Sequence, residues 1–370
     1  MSRIRVGVLF GGRSAEHEVS ILSARNVVAA LDRTRFEPVL IGIDKSGRWL
    51  LQQEAALLAS ARDPRLVKIN QTATAVTLEP RPSGGALVMT DGPARVDVVF
   101  PVLHGTFGED GTVQGLLELA DLPYVGAGVL GSAVGMDKDV MKRLLQHAGV
   151  PVMPFRTIRK ADFARDPDAA CAHAAEVGFP LFSKPANAGS SVGVRRVADA
   201  SALPAALAHA LEFDTKALAE AAAVGAREIE CSVLGNDEPT ASAPGEVIVR
   251  HPDGFYSYDA KYVDEGGAST EIPANLDEAT TRAVRELAVR AFRALECAGL
   301  ARVDFFLLDG GRLVVNEINT LPGFTAISMY PKMWEASGIG PTELVSRLVD
   351  LAIERHAARR ALKVSYDFKK

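Results

Sequence analysis

Two apolar runs, Ala301–Leu308 and Arg312–Asn319, flank Asp309-Gly310-Gly311 and carry Arg302, Asp304, Glu317 and Asn319. The turn signal predicts a β-hairpin, since glycine accepts the positive φ angles of a tight loop. If Gly310 and Gly311 form that loop, Asp309 faces Arg312. Counting back along both strands then sets Asp304 opposite Glu317 and Arg302 opposite Asn319. Alternation places all four on one face. Two opposed carboxylates repel unless a cation lies between them. Oxygen ligands of this kind suit Mg²⁺ or Mn²⁺, held by one or two carboxylates and shared with phosphates. The alternative is a solvated hairpin end with a chance acid pair, against which stand the apolar residues Phe306, Leu308, Leu313 and Val315 on the same face.

A second candidate is FSKPANAGSSVG, Phe182 to Gly193, where Lys184 leaves an apolar strand and enters a loop of small residues. Such loops present backbone N–H groups and hydroxyls to phosphate, with the ammonium as a point charge. The order Gly-Lys-Ser/Thr of a P-loop is missing. A flexible connector is the plain alternative, and a cation site downstream raises the nucleotide reading beside it. Two further stretches, GGRSAEHEVS from Gly11 and HGTFGEDG from His104, each follow an apolar strand directly. Ligands of open α/β sheets bind beyond strand C-termini. Ser14 as an N-cap and Glu16 in a first helical turn explain the first stretch without a ligand. A Rossmann site is disfavoured, because no GxGxxG is present. The segment from Gly254 to Leu276, with Lys261 and Tyr262, has the length and aromatic-charged character of a lid.

These residues need a scaffold. Arg3 to Phe10, Pro38 to Asp44 and Val96 to Leu103 read as buried strands, with helical spacing from Ser14 to Leu31 between the first two. Strands alternating with helices predict a doubly wound, mainly parallel sheet. TAVTLEP and GGALVMT look like small strands joined by a Pro/Gly turn. After a glycine-rich stretch, Asp137 is placed to cap a helix carrying Val140, Met141, Leu144 and Leu145, stopped by Gly149 and Pro151. An Ala-rich helix is predicted near Ala202 to Leu211, and REIECSVLG, EVIV, ARVDFFLL and RLVVNEIN read as antiparallel strands. Domains are expected over 1–130, 131–218 and 219–370.

The chain has 370 residues, too many for one core at roughly 150 residues per domain. With 48 % hydrophobic and 24 % charged residues it has globular composition. A net charge of −5 gives no footprint for nucleic acid or an anionic membrane. The three cysteines lie far apart and without metal-type spacing, which fits a reducing, cytoplasmic setting. No run of eighteen apolar residues predicts a membrane span, and no signal-peptide core is evident.

Taken together, GGRSAEHEVS, HGTFGEDG, GMDK, KPANAGSSVG, YDAKY, ARVDFF and NEINTLPGFT resemble the D-alanine–D-alanine ligases of the ATP-grasp superfamily, in order and spacing over nearly the whole chain. The resemblance implies a three-domain α/β architecture: a substrate-binding doubly wound domain, then two domains that grasp ATP. It implies that Lys138, Lys184 and Lys261 meet the nucleotide, with Glu220 at the adenine hinge and Glu228 on the ribose. Asp304, Glu317 and Asn319 match ligands of two Mg²⁺ or Mn²⁺ ions per subunit. Glu16 matches the anchor of the first substrate's ammonium and joins Ser190 and Tyr262 in a hydrogen-bonded trio. His104 would lie near the first D-alanine carboxylate, while Ser328 and the backbone of Met329 take the second. Arg302 and the Gly323 N–H would hold the tetrahedral oxyanion. ATP would convert one carboxylate to an acyl phosphate, which the free amine of the second D-alanine attacks. The implied product serves peptidoglycan synthesis, and a homodimer is expected. Ester-forming relatives carry a histidine in the lid where this chain has Tyr262. The rivals are a D-alanine–D-lactate ligase, another ATP-grasp ligase, or a nucleotide-binding module without turnover.

Overall fold

The computed structural model describes residues 3–58, 68–79, 86–89, 92–249 and 268–363. Lys261 and Tyr262 lie outside them, and so does most of the expected lid.

The first sheet contains β1 (Ile4–Gly11), β2 (Phe36–Ile43), β3 (Trp49–Gln52) and β4 (Val98–Val102), in the order β3-β2-β1-β4. β1 runs parallel to β2 and β4, and β3 is an antiparallel edge. As the central strand, β1 buries both faces and so reads as an unbroken apolar run. Val6, Val8 and Phe10 pack with helix α1 (His17–Ala30), whereas Leu9 packs on the other face with Val113 and Leu117 of α2 (Thr112–Leu119). That is the doubly wound arrangement the alternation predicts. Val76–Glu79 and Ala86–Met89 pair as antiparallel strands, and Gly92–Arg95 extends that small sheet.

Helices α3 (Val129–Met136) and α4 (Lys138–His147) follow. Asp137 does cap α4, accepting from the N–H groups of Asp139 and Val140 at 3.1 Å each. The predicted apolar stripe of α4 is rotated, however. Met141 and Leu145 are buried, while Leu144 is 37 % exposed and a lysine, Lys142, takes its place inside. A second, wholly antiparallel sheet has the order β7-β6-β8-β5, from β5 (Phe155–Arg159), β6 (Leu181–Pro185), β7 (Arg195–Val197) and β8 (Lys216–Ala221). It is covered by the Ala-rich helix α5 (Leu203–Phe213).

The third sheet, also antiparallel, runs β11-β10-β9-β12-β13, from β9 (Arg227–Gly235), β10 (Gly245–Val249), β11 (Ala268–Glu271), β12 (Gly299–Leu307) and β13 (Leu313–Asn319). Helix α6 (Glu278–Ala294) buries Val284, Ala288, Ala291 and Phe292 against it. The chain then forms α7 (Met329–Ala336) and α8 (Pro341–Arg360). α8 returns to the first sheet, where Leu344, Leu348 and Val349 share a core with Val6, Phe36 and Phe100. Sequence periodicity could not assign that partner, since an apolar stripe states that a face is buried but not against what.

Candidate active site

The hairpin β12–β13 sets Asp304 opposite Glu317 and Arg302 opposite Asn319, as counted from the sequence. The turn differs from the expected one. Leu308 N–H donates to Arg312 O at 2.9 Å, so Asp309, Gly310 and Gly311 make a three-residue loop. That shift alone would move every facing pair by one. A bulge compensates: Phe305 pairs with Val315, Asp304 with Glu317, and Asn316 is the extra residue.

Each of the two acids has a cation of the protein's own beside it. Arg302 Nε and Nη2 donate to the Asp304 oxygens at 2.7 Å each, and Nε lies 3.0 Å from Glu230 on β9. Asn319 Nδ2 donates to Asp304 Oδ2 at 3.1 Å. Lys138, the first residue of α4, places its Nζ 3.4 Å from Glu317 and donates to Ala188 O at 2.8 Å. Burial works against the Arg302 charge, but Asp304 and Glu230 outweigh it and hold its pKa well above the usual value.

Glu16 lies at the end of β1, where it occupies the N-cap position of α1 with no side-chain capping bond. Ser14, expected as the cap, instead accepts the Glu16 N–H at 3.2 Å. The Glu16 carboxylate turns outward and accepts from Ser190 Oγ at 2.5 Å, joining positions 174 residues apart. Ser190 and Ser191 both adopt positive φ, 48° and 59°, conformations that cost L-residues about 1–3 kcal/mol each and concentrate at functional sites. The glycine beside them packs closely against Glu16. A Cβ on Gly189 would sit 3.0 Å from Glu16 Oε2.

His104 is buried at the end of β4. Its Nδ1 meets Leu321 O at 3.1 Å and its Nε2 meets Ser23 Oγ at 3.2 Å. Ser23 Oγ also accepts the Phe324 N–H at 3.2 Å, and Asn26 Nδ2 donates to Phe324 O at 2.8 Å. A carbonyl only accepts, so Nδ1 carries a proton, and a neutral ring then accepts the Ser23 hydroxyl at Nε2. Burial, the dominant cause, lowers the His104 pKa in agreement. Nδ1 thus holds Leu321 directly, and Nε2 reaches Phe324 only through Ser23. Nearby, burial and then the Glu16 charge push Glu109 well above the ordinary carboxylate range, although it accepts the Gly105 N–H at 2.8 Å.

Two adjoining cavities share Lys138, Ser190, Arg302 and Glu317. Glu16, His104, Glu109, Gly323, Ser328 and Met329 line one. Lys184, Glu220, Glu228, Asp304, Phe182 and Asn316 line the other. Ser328 is at the N-cap of α7, its Oγ accepting the Thr325 N–H at 3.0 Å. Glu220, buried on β8, does not offer its carboxylate outward. It receives Lys184 Nζ at 3.1 Å and pairs with Lys142 Nζ at 2.8 Å. Burial lowers the Lys142 pKa to about 8 against the pull of Glu220, whereas the two lysines overcome burial and lower that of Glu220. Lys142, Glu109, Glu230, Ser23 and Asn26 escape the sequence analysis. Lys142 had a legible signal, a lysine one helical turn from Lys138 beside apolar Met141 and Leu145.

An acid–cation hairpin between a cavity lined by Glu16 and a cavity lined by lysines, on a scaffold of three main sheets, is the architecture of ATP-dependent ligases of the ATP-grasp kind. Solved structures agree: the D-alanine–D-alanine ligase of Coxiella burnetii superposes with a TM-score of 0.83 at 39 % identity, over 98 % of this chain and 97 % of that one. The VanG D-Ala:D-Ser ligase of Enterococcus faecalis gives 0.82 at 34 % identity, over 95 % of this chain and all of that one. The chain belongs to the D-alanine–D-alanine ligase family. The family's N-terminal model matches residues 5–127 and its C-terminal model residues 144–350. A D-alanine–D-alanine ligase of Shouchella clausii is 50 % identical over 99 % of both chains, and D-alanine–D-alanine ligase A of Salmonella typhimurium is 48 % identical over 99 % of this chain and all of that one.

Proposed function

We propose that the protein joins two D-alanines to D-alanyl-D-alanine with ATP as co-substrate, releasing ADP and phosphate, as a cytoplasmic step toward peptidoglycan precursors. The observation that carries this is the hairpin face of Arg302, Asp304, Glu317 and Asn319, whose Arg302 and Glu317 line both cavities while Asp304 lines one and Asn319 the other; the names of the relatives above supply the substrates. Lys138 and Lys184 would meet the transferring phosphates and Glu228 the ribose. Glu16, steadied by Ser190, would hold the ammonium of the first D-alanine. Arg302 has five N–H donors on a rigid fork, so it holds Asp304 and still faces a developing oxyanion together with the Gly323 N–H. Ser328 and the Met329 N–H, at the positive end of α7, suit the second carboxylate. His104 acts by holding the segment before Gly323. Lys261 and Tyr262 would close the site against water, which competes for an acyl phosphate.

Among the described residues no three His, Cys, Asp or Glu side chains gather as a metal cluster. The donor set nevertheless suits a hard divalent cation, because two carboxylates and one amide oxygen are what Mg²⁺ takes when phosphates and water complete its shell. Asp304, Glu317 and Asn319 would hold two such ions. When bound, they neutralise phosphate charge.

Product analysis with D-alanine, D-lactate and D-serine together tests the assignment. Dipeptide D-alanyl-D-alanine should dominate from pH 6 to 9, and increasingly so as free amine accumulates. Tyr262 supports this, since a tyrosine is neutral there and, unlike a histidine, does not favour an anionic hydroxy acid over an ammonium. Predominant depsipeptide at pH 7, or D-alanyl-D-serine, would overturn it.

The junctions proposed between units lie between residues 130 and 131 and near the expected 218 and 219; because β8 spans 216–221 and pairs with β5 and β6, the second is moved to just after Ala221. A homodimer is proposed as well. The packed helices α2 and α3 expose Leu116, Leu119, Val129 and Leu130, with Leu119 78 % and Leu130 60 % exposed. Sedimentation velocity at micromolar concentration should show a dimer that Leu119→Glu dissociates; a monomeric wild type refutes it.

A further inference from the structure

Lys142 follows Lys138 by one turn of α4 and is fully buried, at 0 % exposure. Its ammonium pairs with Glu220 Oε2 at 2.8 Å and donates to the Asn316 carbonyl at 3.0 Å. The other Glu220 oxygen accepts from Lys184 at 3.1 Å. Lys184 and Glu220 line the nucleotide-side cavity, and Lys142 stands behind them.

We propose that Lys142 is a positioning residue for the nucleotide: it occupies one oxygen of Glu220 so that Lys184 retains a net positive charge toward phosphate, and it pins the bulge that sets Glu317 in register. The proposal deepens the assignment of Lys184 to the nucleotide phosphates and rests on it.

Charge balance carries the first half. Two lysines around one carboxylate leave that group of three with a net charge of about +1, whereas Glu220 with Lys184 alone would be a neutral pair with little field on an anion. A buried carboxylate with a single partner would also draw that partner away from the cavity. Among the described residues, the charges of Glu317 on β13 and of Lys184 also reach Lys142, the first favouring its ammonium and the second opposing it. Geometry carries the second half. Asn316 is the bulge residue, outside the regular pairing. Its part-buried carbonyl is left outside the ladder, and Lys142 donates to it. The next residue is Glu317, so the same ammonium ties the lysine side of the cavity to the acid pair on the hairpin.

Calorimetric titration with ADP, together with KM values for ATP and D-alanine, tests this on Lys142→Gln, Lys142→Gln/Glu220→Gln and Lys184→Gln. Lys142→Gln should weaken ADP binding and raise the ATP KM by at least about fivefold, with the D-alanine KM within about twofold of wild type. The double variant, which restores a lone positive Lys184, should bind ADP more tightly than Lys142→Gln. Should Lys142→Gln not fold, the double variant is compared with Lys184→Gln and should still bind ADP the more tightly. Wild-type ADP binding by folded Lys142→Gln overturns the proposal. So does an equal rise of both KM values, or a double variant no better than the variant it is compared with. Unchanged ADP binding by Lys184→Gln refutes instead the assignment of Lys184 on which the proposal stands.

Discussion

Glu317→Gln should reduce ATP-dependent ligation by at least about a hundredfold while leaving the protein folded. Glu317 faces Asp304 across the ladder, and its neutral isostere removes one of two opposed charges. Its own partner is Lys138 at 3.4 Å, with the Glu317 side chain 26 % exposed. Losing such a partly solvated pair costs no more than about 1 kcal/mol, and relief of the repulsion offsets part of that. Catalysis has no such compensation. The glutamate is proposed to offer an oxygen to a divalent cation, and it holds the lysine proposed to meet the phosphates. Removing one preorganised group that stabilises transferring charge typically costs about 10²–10³ in rate. Titration of Mn²⁺ in the presence of ADP gives a readout independent of turnover, and affinity should fall at least about tenfold. Near-wild-type phosphate release with unchanged Mn²⁺ affinity would sink the assignment of Glu317.

Glu16→Gln should raise the KM for the first D-alanine at least about tenfold and leave that for ATP nearly unchanged. The sequence allowed a helix-cap role for this residue, and the geometry favours the substrate reading. The Glu16 side chain makes no capping bond, and its carboxylate accepts from Ser190 at the mouth of the substrate cavity instead. A glutamine keeps an oxygen for that hydroxyl, so the link between β1 and the 188–193 loop survives. What disappears is the charge. A charge-assisted hydrogen bond to an ammonium contributes about 1.5–3 kcal/mol, a factor of roughly ten or more in binding. The interaction with the helix dipole is smaller, about 0.3–1 kcal/mol, so melting temperature should change little. Steady-state kinetics varying each substrate separately makes the comparison. Equal effects on ATP and D-alanine, accompanied by a clear loss of stability, would return Glu16 to a structural role.

Periodicity of two fixed which face of the hairpin Arg302, Asp304, Glu317 and Asn319 share, because side-chain alternation is a property of the strand itself. The turn was misjudged by one residue and an unforeseen bulge at Asn316 restored the pairing. Local turn chemistry does not reveal a bulge whose extra carbonyl is satisfied by a lysine 174 residues earlier in the chain. Likewise the glycine-rich loop, the strand-end motifs around Glu16 and His104, the Asp137 cap and the antiparallel strands were legible, since each depends on residues close together in the chain. The partners were not. That Glu16 reaches Ser190, that His104 spends its ring on Leu321 and Ser23, and that Glu220 turns to Lys142 and Lys184 follow from how three sheets meet. By itself the sequence determined the groups that carry the chemistry and the faces on which they lie. The tertiary structure decided which of those groups meet, because burial and long-range pairing set the charge balance around Arg302, Glu109 and Lys142, and neither is encoded in local spacing.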